Sequence, residues 1–137
     1  MGRQAGKEIL SCHVLASLRE SIPTLRTGRW RDAAVRELTL GVRRLGSPRE
    51  FVALVREFRA FEPDAYIVDR AERDLHFFEI EVYNPMAHDK LLAYGKMQTD
   101  MAYYGIDFGV YVANKYGHIN RVDLLPYYAQ WLRENAP

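Results

Sequence analysis

The stretch Leu75 to Tyr83, LHFFEIEVY, constrains this chain most. Its aromatic and β-branched residues favour a strand, yet two glutamates, Glu79 and Glu81, stand inside it. Strand alternation puts both on one face of a sheet. A carboxylate in so apolar a ribbon is costly unless it is paired, hydrogen-bonded or bound to a cation. Asp64 lies just ahead of a second strand, Tyr66-Ile67-Val68, and the polar turn 70–74 joins the two runs. That pattern predicts a hairpin across which Asp64 approaches the glutamates. Three oxygen donors at the ends of adjacent strands suit a hard cation, Mg²⁺ or Mn²⁺. Such an ion generates hydroxide and stabilises phosphoryl charge.

Helices are expected around this ribbon. Residues 7–21 place Leu10, Val14, Leu18 and Ile22 on one face. Residues 30–45 mix two periods, read as a helix to about Leu38 followed by a short strand. Ser47-Pro48-Arg49-Glu50 is a capping box with proline at the first helical position, and Pro63 closes the helix that it starts. A long helix is predicted over 86–104, stopped at Gly105. Phe108 to Ala113 reads as a strand, 114–117 as a turn, and 121–134 as a closing helix. Strands framed by helices make this an α/β domain, residues 1–137, with a mainly helical part over 7–61 and strand-strand-helix-strand-helix over 62–137.

Lys90, Tyr94 and Gln98 recur every four residues on the long helix and form one polar stripe. Facing the sheet, Lys90 would orient water or phosphate, and Tyr94 and Gln98 would contact a nucleic-acid backbone. Charge is split along the chain. Residues 1–60 hold 12 Lys/Arg against 6 Asp/Glu, and residues 61–137 hold 7 against 12. Arg29, Arg31, Arg36, Arg43 and Arg44 fall within the basic half. Guanidinium forks match phosphate oxygens bidentately, so this half is a candidate grip on a polyanion; ordinary surface ion pairs are the alternative. Trp30, within TGRWRD, either stacks on DNA or anchors the core.

A single cysteine, Cys12, builds no disulfide framework, and no Cys/His cluster has zinc spacing. The four histidines share no spacing and are assigned no role. No apolar run approaches the ~20 residues of a membrane helix, and the N-terminus lacks a signal-peptide core. A cytoplasmic protein without a membrane partner is expected.

Pro63-Asp64 followed by Glu79-Ile80-Glu81 resembles the signature of the PD-(D/E)xK nuclease superfamily. In that pattern a Pro-Asp opens one strand and an acidic-x-Lys triplet lies in the next. The stretches PDAYIV, FEIEVYN and HDKLLAYGKM also resemble the replication-relaxation family of plasmid and mobile-element proteins. The likeness covers roughly residues 8–113 and is closest over 62–98. It implies a restriction-endonuclease-like αβββαβ core with a mixed sheet flanked by helices. It also implies hydrolysis of nucleic acid, DNA above all, and a homodimeric habit. The triplet's lysine is Glu81 here. Some members carry that lysine on the following helix, where Lys90 would serve. A glutamate of the first helix often completes such a site, with Glu8 and Glu20 as candidates and Glu37 as an outsider.

Three function classes remain open on these residues. One is a metal-dependent nuclease, with Asp64, Glu79 and Glu81 at the metal and Lys90 at the water. Another is a catalytically inactive protein of the same fold that binds nucleic acid in replication or regulation of a mobile element. The last is an interaction domain whose acidic strand is neutralised by the arginines.

Overall fold

The computed structural model describes residues 3–42, 45–58, 62–82 and 84–136, with side chains from Leu10 onward. Five helices and four strands occur among them: α1 (Arg3–Ser21), α2 (Trp30–Leu38), α3 (Pro48–Glu57), β1 (Ala65–Asp69), β2 (Asp74–Ile80), α4 (His88–Tyr103), β3 (Asp107–Ala113), β4 (Ile119–Arg121) and α5 (Leu125–Asn135). No helix among the described residues is long and apolar enough to cross a membrane.

The strands form one mixed sheet in the order β1-β2-β3-β4. β1 and β2 are the expected antiparallel hairpin, with Ala65 opposite Phe78 and Asp69 opposite Asp74. β2 and β3 run parallel, Asp74 beside Asp107 and Glu79 beside Val112. Parallel neighbours need a long crossover, and α4 supplies it. β4 returns antiparallel to β3. On the far side of β1, Arg26 and Tyr66 exchange two backbone hydrogen bonds of 2.8 Å, an isolated bridge that extends the sheet by one residue.

Alternation sorts the strand residues into two apolar clusters, one on each face. Tyr66, Val68, Leu75, Phe77, Phe108 and Val110 join Trp30, Leu38, Phe51, Val55, Tyr94, Met97 and Met101 in the larger cluster, under α2, α3 and α4. Ala65, Phe78 and Ala113 join Val14 and Leu18 of α1 in the smaller one. Trp30 is the buried anchor rather than a surface wedge. It is fully buried, with Phe77 edge-on at 4.8 Å.

Local signals explain most of the element ends. Ser47 Oγ accepts the Glu50 N–H at 3.2 Å, and Pro48 takes the first turn of α3. Gly105 ends α4 with φ at 77°, a left-handed conformation that costs glycine little.

Four expectations need correction. Among the described residues, no strand directly follows Leu38. Thr39–Gly41 tightens into a 3₁₀ turn instead, with Thr39 Oγ1 donating to the Val35 carbonyl. Leu38 is buried and Leu40 is 86% exposed, so their alternation does not mark a strand in the sheet. The ribbon of β2 ends at Ile80, before Glu81, and Tyr83 lies outside the described residues. The closing helix, expected over 121–134, starts later. Residues 119–121 pair with β3 as β4, and the helix begins only at Leu125, with Pro126 in its first turn. Finally, α1 starts at Arg3 rather than at residue 7.

Candidate active site

Glu79 is the one charged side chain buried among the described residues, at 6% exposure. Being two residues from Phe77 and four from Leu75, it points with them into the larger cluster. Its partners come from α4. Lys90 Nζ lies 2.8 Å from Glu79 Oε1, and the Tyr94 hydroxyl donates to the same oxygen at 2.7 Å. The four-residue spacing stacks the two donors on one helix face. The polar stripe expected on this helix therefore faces the sheet. Gln98, one turn further on, donates to the Phe108 carbonyl at 3.3 Å.

Burial pushes the Glu79 carboxyl above its ordinary range, against the pull of its bonds to Lys90 and Tyr94. Burial likewise pushes the Tyr94 phenol far up, reinforced by the charge of Glu79. Tyr94 is thus a permanent proton donor to the carboxylate. Being fully buried, it does not offer its hydroxyl to a nucleic-acid backbone, contrary to the expectation for it. Gln98 is half-buried and bonded to β3, and it lines open cavities beside β3 and before α5.

Asp64 sits one step beyond the Ala65–Phe78 pair, so the register sets it opposite Glu79. Its Oδ2 accepts the Ile80 N–H at 2.7 Å. This bond closes the end of the hairpin and fixes the carboxylate beside the Glu79 backbone. Its negative charge contributes to raising the Glu79 pKa, so the two groups sense one another.

Glu81 is held by other partners. With β2 over at Ile80, its backbone N–H bonds the Ala113 carbonyl at 2.9 Å. Its Oε1 accepts the Met86 N–H at 2.8 Å, pinning the loop into α4. The expected union of Asp64, Glu79 and Glu81 is therefore not a three-donor cluster. Among the described residues, the grouping of three such side chains within ligating reach is Asp74, His76 and Asp107, at the other end of the sheet.

Of the first-helix acids, Glu20 does not join the site. Glu20 is exposed on α1, which packs on the sheet face opposite to Glu79. The side chain of Glu8 lies outside the described residues. Glu37, on α2, grips Arg26 through two hydrogen bonds of 2.5 and 2.9 Å, and that bond holds its carboxyl below the ordinary range.

The arginines divide into committed and available. Arg31 donates to the Phe58 carbonyl and pairs with Glu62, tying α2 to the chain after α3. Arg29 has a side chain 90% exposed, with Asp32 no nearer than 3.9 Å. Arg36 is 68% exposed beside Glu37. Arg43 and Arg44 lie outside the described residues. Arg29 and Arg31 line an open cavity of about 490 Å³ with Gly28, Asp32, Glu62 and Pro63. Pro63 of that lining is the chain neighbour of Asp64.

The interaction-domain reading called for Glu79 and Glu81 to be paired with arginines. The partner of Glu79 is a lysine from the helix after the strand, and that of Glu81 is a backbone amide. Comparison with family models, with curated proteins and with solved structures finds no match.

Proposed function

We propose that this chain is a metal-dependent, nuclease-like protein that hydrolyses phosphodiester bonds of DNA, built on a restriction-endonuclease-like core. The supporting observation is the delivery of Lys90 from α4 to within 2.8 Å of Glu79 on β2, with Asp64 opposite Glu79 in the hairpin register. This is the arrangement that the PD-(D/E)xK pattern requires when its lysine has moved to the following helix.

The donor set suits Mg²⁺ or Mn²⁺. Both groups are hard carboxylates, and the contacts of Glu79 with Lys90 and Tyr94 are at Oε1. Asp64 Oδ1 and Glu79 Oε2 are the oxygens that would hold the ion. A bound ion would supply Lewis-acid polarisation of the phosphate and a more acidic water. Lys90 would orient the attacking water or a phosphate oxygen, Tyr94 would keep Glu79 in one rotamer, and Arg29 would hold the DNA backbone along the cavity beside Pro63. Incubation of the protein with supercoiled plasmid and Mg²⁺ or Mn²⁺ tests this. Nicked or linear product from the wild type, lost in Asp64→Ala, is the expected result. No product, or equal product from Asp64→Ala, would remove the hydrolytic reading.

A second reading is favoured by the burial of Glu79 and by the departure of Glu81 to the α4 loop. On it, the same fold binds nucleic acid without cutting it and serves the replication or regulation of a mobile element. Binding that weakens steeply with salt, in a protein that leaves plasmid intact, is its signature.

A further inference from the structure

Asp74 and Asp107 head the parallel strands β2 and β3 and stand side by side in register. Two residues along β2, on the same face, is His76. Ligand atoms of the three lie within 4.8 Å of one another. This face is the one that carries Phe78 and α1, and this end is the one away from Asp64 and Glu79. The place is thus separate from the candidate active site by both face and end of the sheet.

A further observation points to a ligand. Nε2 of His76 is buried and has no hydrogen-bond partner among the described residues. A buried polar nitrogen left without a partner is costly. The surroundings are also acidic. Asp69 stands beside Asp74 in the β1–β2 register, which makes a row of three aspartates across three strands. Arg121 of β4 reaches Asp107 at 3.5 Å. Its guanidinium lies over Gly109, where a Cβ would meet it at 3.0 Å. Gly109 is the register neighbour of His76, so the absence of a side chain there gives Arg121 its place at the rim of the cluster.

We propose that Asp74, His76 and Asp107 form a binding site for one divalent transition-metal ion of the zinc class. One imidazole with two carboxylates is a mixed nitrogen and oxygen set that suits such ions better than Mg²⁺ or Ca²⁺. Two ligands each about 2.0–2.2 Å from a zinc ion stand at most about 4.4 Å apart, within a small rotamer adjustment of the spacing present. Three protein ligands leave a coordination position to water. The ion would clamp the heads of the two parallel strands, adding to the ladder that already pairs them. Arg121 is the gate: its bond to Asp107 competes with the metal for one carboxylate oxygen.

Equilibrium dialysis against Zn²⁺ tests the site on the wild type and on His76→Gln, Asp107→Asn and Glu79→Gln. The expected result is one fewer zinc per chain in His76→Gln and in Asp107→Asn, or an affinity lower by more than the ~10–100-fold that outer-sphere changes cost. Glu79→Gln should keep this ion, which separates it from any ion at the active site. Zn²⁺ should also raise the unfolding temperature of the wild type and not that of Asp107→Asn. Asp107 is exposed, so its variant keeps the fold even where His76→Gln does not. No zinc on the wild type, or unchanged binding in Asp107→Asn, would overturn the proposal.

Discussion

Glu79 draws its meaning from what surrounds it: a carboxylate 6% exposed, held by an ammonium and a phenol. Tyr94→Phe removes one donor and leaves the carboxylate partly unsatisfied, which should cost about 1–3 kcal/mol in denaturant unfolding. Two acids should also respond to pH in opposite directions. The Glu79 pKa is raised above its ordinary 4.5 by burial, so its stabilising contribution is complete below that value and is lost as pH rises through the folded-state midpoint. Glu79→Gln should therefore gain on the wild type between acid and neutral pH. Glu37 has its pKa lowered by the bond to Arg26. Its contribution is complete above 4.5 and is lost as pH falls through the lower folded value. Glu37→Gln should flatten the acid limb of the stability curve. Unfolding curves at a series of pH values read both signs. Glu79 was legible in the sequence because an acid in an apolar strand demands a partner; the four-residue spacing put Lys90 and Tyr94 on one helix face, but that both turn to Glu79 is seen only in the packing of α4 on the sheet. Glu81 was not legible, because nothing in EIEVY marks where the ladder stops.

Among the elements, α4 is the one on which the site turns, since it carries Lys90 and Tyr94 and bridges β2 to β3. Its seat depends on Gly95. A Cβ there would meet the backbone N of Tyr128 at 2.7 Å and the Leu124 carbonyl at 3.2 Å, and these atoms belong to the start of α5, which has little freedom to retreat. Gly95→Ala should destabilise by about 1–3 kcal/mol, despite the better helix propensity of alanine. It should also lower whatever activity Lys90 supports, as α4 shifts on the sheet. The hairpin, the capped start of α3 and the glycine stop of α4 could be read from turn and cap residues, since these act locally. β4 could not: Ile119–Arg121 is a three-residue strand whose existence depends on the neighbouring edge of β3. The meeting of Asp74 with Asp107 was equally hidden, because it follows from a parallel register set by the length and packing of the crossover.

For the whole molecule, the basic half is not a uniformly free surface. Arg31 meets Glu62 of the acidic half and Arg26 meets Glu37 of its own half, so part of the arginine charge is already paired within the fold. On the proposed reading, affinity for DNA should fall with salt less steeply than twelve basic residues suggest. Arg29→Ala should reduce that slope by about one unit, and Arg31→Ala should act mainly on stability; fluorescence anisotropy at several salt concentrations separates the two. The central claim is that Asp64 and Glu79 hold a divalent cation beside Lys90. Calorimetric titration with Mn²⁺ tests it most directly, in the Asp107→Asn background that silences the far end of the sheet. One ion should bind there, and both Asp64→Ala and Glu79→Gln should abolish its heat. Absence of that heat in the background protein, or its survival in Asp64→Ala, would contradict the account.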